Sequence, residues 1–409
     1  MKIKHLFLLL FSVAGVQLAL ADCFYKVKAE YLMGQIMRGT RIDPLIERPV
    51  MGAELALEFQ PEASHQWMMD YNRASLGVAA AYLNLGNNEK LGNAFALYPY
   101  LNIPLVRTPH FILGLKPGAG ISLVDRYYAN TSDNRTLGIQ NAAEPQNIAN
   151  SAFGSVLNVY FTGAVTMEFP ISKGFSLSAS YGWNHISNGS FIQPNSGINM
   201  FNAQVGLVYF PHYEQYSLPE KTPSDRTYKR FSFDVIASGG ARQLYYVDNK
   251  FFGIASLSVG AYYRCAKIFQ IGLGADAFYD GVYANVNAGT ADRTSAFKFT
   301  YLEESRVENC FRAGLSVRPE LVIGRLTAGL HFGVYLYDPI KNLEPYSEAQ
   351  KGPLNKGIFY RYDINKSDGW LYTRASLKYE VTPHLLLAIG LKTHLQRAEF
   401  IEWGIGYRF

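Results

Sequence analysis

The sequence predicts an all-β membrane barrel, and three observations carry that expectation. Segments of roughly ten residues alternate apolar with polar or small side chains, the pattern of a strand with one face in lipid and one in a lumen. Short turns and long polar loops join these segments alternately, as barrels with a turn end and a loop end are wired. Past the N-terminal leader, no apolar stretch reaches the roughly 18 residues that a membrane helix needs. The 409 residues are 48% hydrophobic, 14% aromatic and 17% charged.

The leader is MKIKHLFLLLFSVAGVQLALADC. Lys2 and Lys4 precede an apolar run to Leu20, and Ala19-Leu20-Ala21 offers the small residues a signal peptidase needs, so residues 1–21 read as a signal peptide. An exported chain this apolar is either soluble or a membrane barrel, and the strand pattern makes the bacterial outer membrane the expectation. The acidic Asp22 does not fit a lipidated Cys23. Cys23, Cys265 and Cys310 have no metal-ligand spacing, and any disulfide scheme leaves one unpaired. The strand pattern puts Cys265 in a short turn and Cys310 beside a long loop, at opposite barrel ends. A net charge of +5 and a pI near 8.8 are compatible with anionic lipid, and no Lys/Arg cluster points to nucleic acid.

Eight strands fall before Pro211, at about 24–37, 50–60, 72–86, 93–105, 110–124, 153–170, 174–187 and 199–210. RTPH, SKG, RPELVIG and EVTPH read as short turns; the long loops cover about 40–50, 127–152, 186–198, 280–309 and 338–369. Residues 211–230 are polar with three prolines, and read as a linker because proline cannot run through a sheet interior. Eight more strands occupy 231–409, and the halves resemble each other: SLSASYGWNH then NAQVGLVYF in the first, LLLAIGLKTH then IEWGIGYRF in the second. Eight strands suffice to close a barrel filled by its own side chains. The expectation is therefore two tandem barrels, 22–210 and 231–409, with a single sixteen-stranded barrel, and hence a pore, as the alternative.

The last strand puts Ile401, Trp403, Ile405, Tyr407 and Phe409 on one face and Glu402, Gly404, Gly406 and Arg408 on the other. Such an aromatic strand ending in Phe resembles the signal read by the barrel-assembly machinery.

Chemistry concentrates in one hairpin. Phe175, Leu177, Ala179, Tyr181 and Trp183 share the lipid phase, and His185 and Ser187 continue it. On the next strand Phe201, Ala203, Val205, Leu207 and Tyr209 face lipid, and Asn199 is in phase with them. His185, Ser187 and Asn199 are thus expected on one outer surface near the interface. A serine needs a base to become a nucleophile, and the base needs a third group to fix its tautomer. Asn188, or a loop N–H near Gly189, could donate to an oxyanion. Alternatively, polar groups at a strand end simply meet headgroups, and the Asn, Gly and Pro of SNGSFIQPNSGIN build the loop.

The residues His185, Ser187, Asn188, Gly189, Pro194, Asn195, Gly197 and Asn199, on the last hairpin of an eight-stranded exported unit, resemble the lipid A 3-O-deacylase (PagL) family of outer-membrane acyl hydrolases. The resemblance spans residues 22–210. It implies a serine esterase that removes an ester-linked acyl chain from lipid A of lipopolysaccharide, without metal or other cofactor. His185 would be the base, Ser187 the nucleophile, Asn188 and Gly189 oxyanion donors, and Trp183 a substrate contact. The family's third residue is a glutamate, whereas Asn199 stands here. The competing reading is a non-catalytic barrel with structural or ligand-binding loops.

The second half looks like a duplicate without the site. His394 falls in the inward phase, Gln396 stands where a serine would, and the loop shrinks to a few residues. A lumen network of His394 with Glu399 or Glu402 is expected instead. His65, His110, His212, His331 and His384 show no metal spacing, and Asp225, Arg226, Lys229 and Arg230 read as a solvated run.

Overall fold

The computed structural model describes residues 24–39, 42–62, 65–129, 146–220, 228–244, 250–284, 304–340, 369–394 and 397–409. The expected signal peptide and the middle of the expected linker lie outside them. Eight antiparallel strands form the first barrel: β1 (Tyr25–Ile36), β2 (Val50–Phe59), β3 (Ser75–Asn84), β4 (Asn93–Arg107), β5 (Ile112–Val124), β6 (Leu157–Ser172), β7 (Phe175–Ser187) and β8 (Ile198–Tyr209). Eight more form the second: β9 (Phe231–Gln243), β10 (Phe251–Ala266), β11 (Phe269–Asp280), β12 (Phe311–Ile323), β13 (Leu326–Tyr337), β14 (Leu371–Glu380), β15 (Leu385–His394) and β16 (Arg397–Arg408).

Each set closes on itself. β8 pairs with β1 through Leu207 opposite Ala29, and β16 pairs with β9 through Ile405 opposite Ala237. A single sixteen-stranded barrel would need β8 against β9, so the fold is two closed barrels. Closure leaves no strand edge open to lipid, where an unpaired backbone group costs several kcal/mol.

Alternation decides which way each side chain points. On β16 Trp403 is 65% exposed while its neighbour Glu402 is 0% exposed. One departure concerns residues 318–324, which read as a turn. Arg318–Ile323 instead complete β12, and only Gly324 (φ +62°) and Arg325 turn the chain. Pro319 is tolerated because the β12–β13 register skips from Val317–Phe332 to Glu320–Gly329, so its missing N–H falls in a gap of the ladder.

Both lumens are packed, not open. In the first, the Tyr98 and Tyr160 rings lie 4.9 Å apart. Glu58 accepts from Ser75 Oγ at 2.9 Å and Tyr100 Oη at 3.1 Å and pairs with Lys28, while Glu54 pairs with Lys116. In the second, Arg318 Nη2 meets Asp276 Oδ1 at 3.0 Å, and Lys378 Nζ bridges Asp234 and Glu320 at 3.0 and 2.9 Å. Glu399 pairs with Arg312 and Lys392 and accepts from His394 Nε2 at 2.9 Å, the lumen network expected there. Buried charges persist only when paired in this way.

The two barrels touch at both ends. At the turn end, the β2–β3 connection folds a short helix, α1 (Gln66–Asp70), and the following Tyr71 hydroxyl lies 3.3 Å from the carbonyls of both Ile268 and Val322. Burial pushes that hydroxyl up to about 12, so it remains a donor. Cys265 is exposed near this end, and Cys310 is buried beside the loop preceding β12; neither is in a disulfide.

Candidate active site on the β7–β8 hairpin

The outward phase of β7 carries Leu177, Ala179, Tyr181 and Trp183 up to a half-buried His185, and the alternation in exposure ends at Ser187, which is buried at 3% exposure. Register then sets the partners: His185 lies opposite Asn199 on β8 and opposite Phe161 on β6. Cross-strand neighbours on one face are near enough for their side chains to bond. His185 Nδ1 lies 2.9 Å from Asn199 Oδ1, and Nε2 lies 2.7 Å from Ser187 Oγ. An amide oxygen only accepts, so Nδ1 carries the proton and donates it to Asn199. Nε2 is then bare and accepts from the Ser187 hydroxyl, the tautomer that general-base action requires.

Aromatic rings fix the imidazole plane. Trp183 stacks beside His185 at 5.8 Å and 16°, and Phe161 stacks on it at 6.3 Å and 28°. The β7 alternation places Trp183 on the same face as His185, whereas Phe161 takes the β6–β7 register as well as the β7 pattern to find.

The loop after Ser187 is pinned by its own amides. Asn188 N–H donates to Asn195 Oδ1 at 2.9 Å, and Asn188 Nδ2 donates to Ser155 Oγ at 2.8 Å and to the Ile192 carbonyl at 2.7 Å. These bonds engage the donors of Asn188 in holding the loop. Gly189 (φ +61°) follows, and among the described residues nothing accepts its N–H. Of the two donors suggested by sequence, Gly189 is the one left available.

Gly197 (φ +64°) closes the hairpin over the site. A Cβ there would stand 3.0 Å from Ser187 Cβ and 3.2 Å from His185 Cε1, so both conformation and space call for glycine. The β5–β6 connection laces this hairpin from one side: Ser196 and Gly197 N–H donate to the Ser151 and Ala152 carbonyls, each at 3.0 Å. Sequence reasoning missed that lacing, since no periodic pattern marks irregular backbone. Among the described residues, no group of three or more His, Cys, Asp or Glu could hold a metal ion.

Residues 51–208 match the family model of the lipid A 3-O-deacylase (PagL), and this match covers the hairpin just described. The first barrel is a domain of that family. Residues 231–348 and 354–409 match a second model, the acyloxyacyl hydrolase C-terminal domain, so the second barrel has a family model of its own. No curated protein matches the chain. Among solved structures, the outer membrane enzyme PagL is 15% identical at a TM-score of 0.27, covering 44% of this chain and 97% of that one. Neisserial surface protein A is 8% identical at 0.28, covering 46% of this chain and 96% of that one. The FrpB iron transporter from Neisseria meningitidis is 9% identical at 0.23, covering 95% and 69%. Membership rests on the sequence matches, and with the barrel fold it indicates the outer membrane.

Proposed function

We propose that this chain is a serine esterase of the outer membrane that releases an ester-linked acyl chain from lipid A, with Ser187 as nucleophile, His185 as base and Asn199 as orienter. The observation that carries the reading is the hydrogen-bonded line from Ser187 Oγ through the His185 ring to Asn199 Oδ1 on the outward face of the barrel. That face is where the acyl chains of a membrane lipid lie.

Ser187 Oγ attacks the ester carbonyl as its proton passes to His185 Nε2. The developing oxyanion takes the Gly189 N–H, a donor fixed in place before reaction. The carbon–oxygen bond to the sugar then breaks, and the imidazolium returns its proton to the leaving alkoxide. Water, deprotonated by the same nitrogen, attacks the acyl-serine and frees the fatty acid and the Ser187 hydroxyl. Trp183 and Phe161 hold the ring against rotation and offer apolar surface to the substrate. Asn188 braces the loop that carries Gly189.

Mass spectrometry of lipid A from cells expressing the wild type, Ser187→Ala or His185→Ala tests this. Loss of one acyl chain is expected with the wild type alone. An identical acyl pattern in all three would sink the lipid A assignment.

A further inference from the structure

The loop bearing the oxyanion donor does not stand on its own barrel alone. Its outer side rests on the second barrel. Gln193 N–H donates to Gln243 Oε1 at 3.1 Å, and Gln243 N–H returns a bond to the Phe191 carbonyl at 3.3 Å. Ser190 Oγ donates to the Ala398 carbonyl at 2.9 Å. The Phe191 ring leans on Phe251, centroids 5.3 Å apart. Gly189 itself lies so close to Ile401 that a Cβ on it would collide with that side chain, with Leu391 just beyond.

These contacts flank the donor closely in sequence. Gly189 is followed at once by Ser190 and Phe191, both anchored on the second barrel, and Gln193 is anchored two residues later. On the opposite side, the β5–β6 connection approaches the same loop so closely that a Cβ on Gly154 would stand 2.7 Å from the Gln193 and Ile192 carbonyls. The loop is therefore held between two walls, one from each barrel. Donor direction matters steeply in acyl transfer, because an N–H acts only when aimed at the place where the oxyanion forms.

We propose that the second barrel is a positioning partner of the first, with Gln243 and Ile401 as the positioning residues that aim the Gly189 N–H. This rests on the esterase reading above. It also accounts for a second barrel that lacks a triad of its own: the unit acts through its loop end.

The test compares the purified full chain with Gln243→Leu, which removes the acceptor at similar volume, Gln243→Glu, which restores an acceptor, and Tyr71→Phe. Tyr71 contacts the second barrel at the turn end, far from the loop, and serves as the control for docking in general. Hydrolysis of purified lipid A in detergent is followed for kcat and KM, with barrel folding checked by heat-modifiable gel mobility. Gln243→Leu should lower kcat about tenfold, the order expected for one misaligned hydrogen bond, with KM nearly unchanged. Gln243→Glu should recover most of it, and Tyr71→Phe should match the wild type. Ile401→Ala, which removes the packing behind Gly189, should act in the same direction and carries the test should Gln243→Leu not fold.

A wild-type kcat in both Gln243→Leu and Ile401→Ala overturns the proposal. So does a change confined to KM, a Gln243→Glu no better than Gln243→Leu, or an equal loss in Tyr71→Phe. If the wild type is no more active than Ser187→Ala, the esterase reading itself fails and takes this inference with it, an outcome distinct from all the others.

Discussion

Asn199 is the residue whose replacement tests the site most sharply, because it decides both the tautomer and the charge that His185 meets. Its Oδ1 lies 2.9 Å from Nδ1, a bond between neutral groups in the resting site. When Ser187 attacks, the ring becomes imidazolium and the same bond becomes charge-assisted, a kind that contributes about 1.5–3 kcal/mol. Asn199→Ala removes that term from the transition state, so kcat should fall about 10- to 100-fold at 1.36 kcal/mol per decade. Asn199→Asp keeps the geometry, and charge-assisted bonds to a carboxylate are roughly twice as strong as neutral ones. A carboxylate also has no N–H to present, so it enforces the productive tautomer. Its rate should equal the wild type or exceed it by up to about tenfold. The assay is fatty-acid release from purified lipid A in micelles, with Ser187→Ala as the floor and gel mobility as the folding check. Wild-type turnover by Asn199→Ala, or a loss in Asn199→Asp as deep as in the alanine variant, would refute the orienting role.

Gly197→Ala should reduce lipid A hydrolysis at least tenfold while the barrels still fold, because φ +64° costs a non-glycine residue about 1–2 kcal/mol and the new methyl presses on Ser187 and His185; wild-type activity would contradict that crowding. Glu399→Ala strips the partner of Arg312, Lys392 and His394 and should destabilise the second barrel by about 3–5 kcal/mol in urea unfolding from micelles, with a null effect counting against the charge network. With both lumens packed, the protein should pass no single-channel current in planar bilayers, and steady conductance steps would contradict two closed, filled barrels.

The strands were legible because their physics is local. Lipid on one side and packed polar groups on the other impose a two-residue period, so β7 and β8 are foreseen to within a residue or two, and the phase of His185, Ser187 and Asn199 follows from counting. Where that local rule has an exception, the expectation failed. Pro319 reads as a turn residue, and only the register of β12 with β13 explains why the strand tolerates it. The site was legible as far as it lies on strands. Phe161 lies across a strand pair, Ser151 and Ala152 come from an irregular connection, and Gln243 and Ile401 from the other barrel; none shares a period with the hairpin they hold.

Besides the missing serine and the shorter loop, the two halves differ by one step of strand phase. In the first, His185 lies on the outward face opposite Asn199. In the second, the residue on the outward face is Thr393, and the histidine comes one position later, opposite Arg397 after a register irregularity between Lys392 and Thr393. A shift of one residue sends a side chain to the other face of a sheet. His394 therefore points into the lumen, where Glu399 takes it into a buried charge network. On the outward face of the same strand pair, Ile401 lies opposite Leu391 and is the residue that backs Gly189. The second barrel thus turns its histidine inward and presents to the first barrel's loop an apolar side chain, Ile401, and the Ala398 carbonyl.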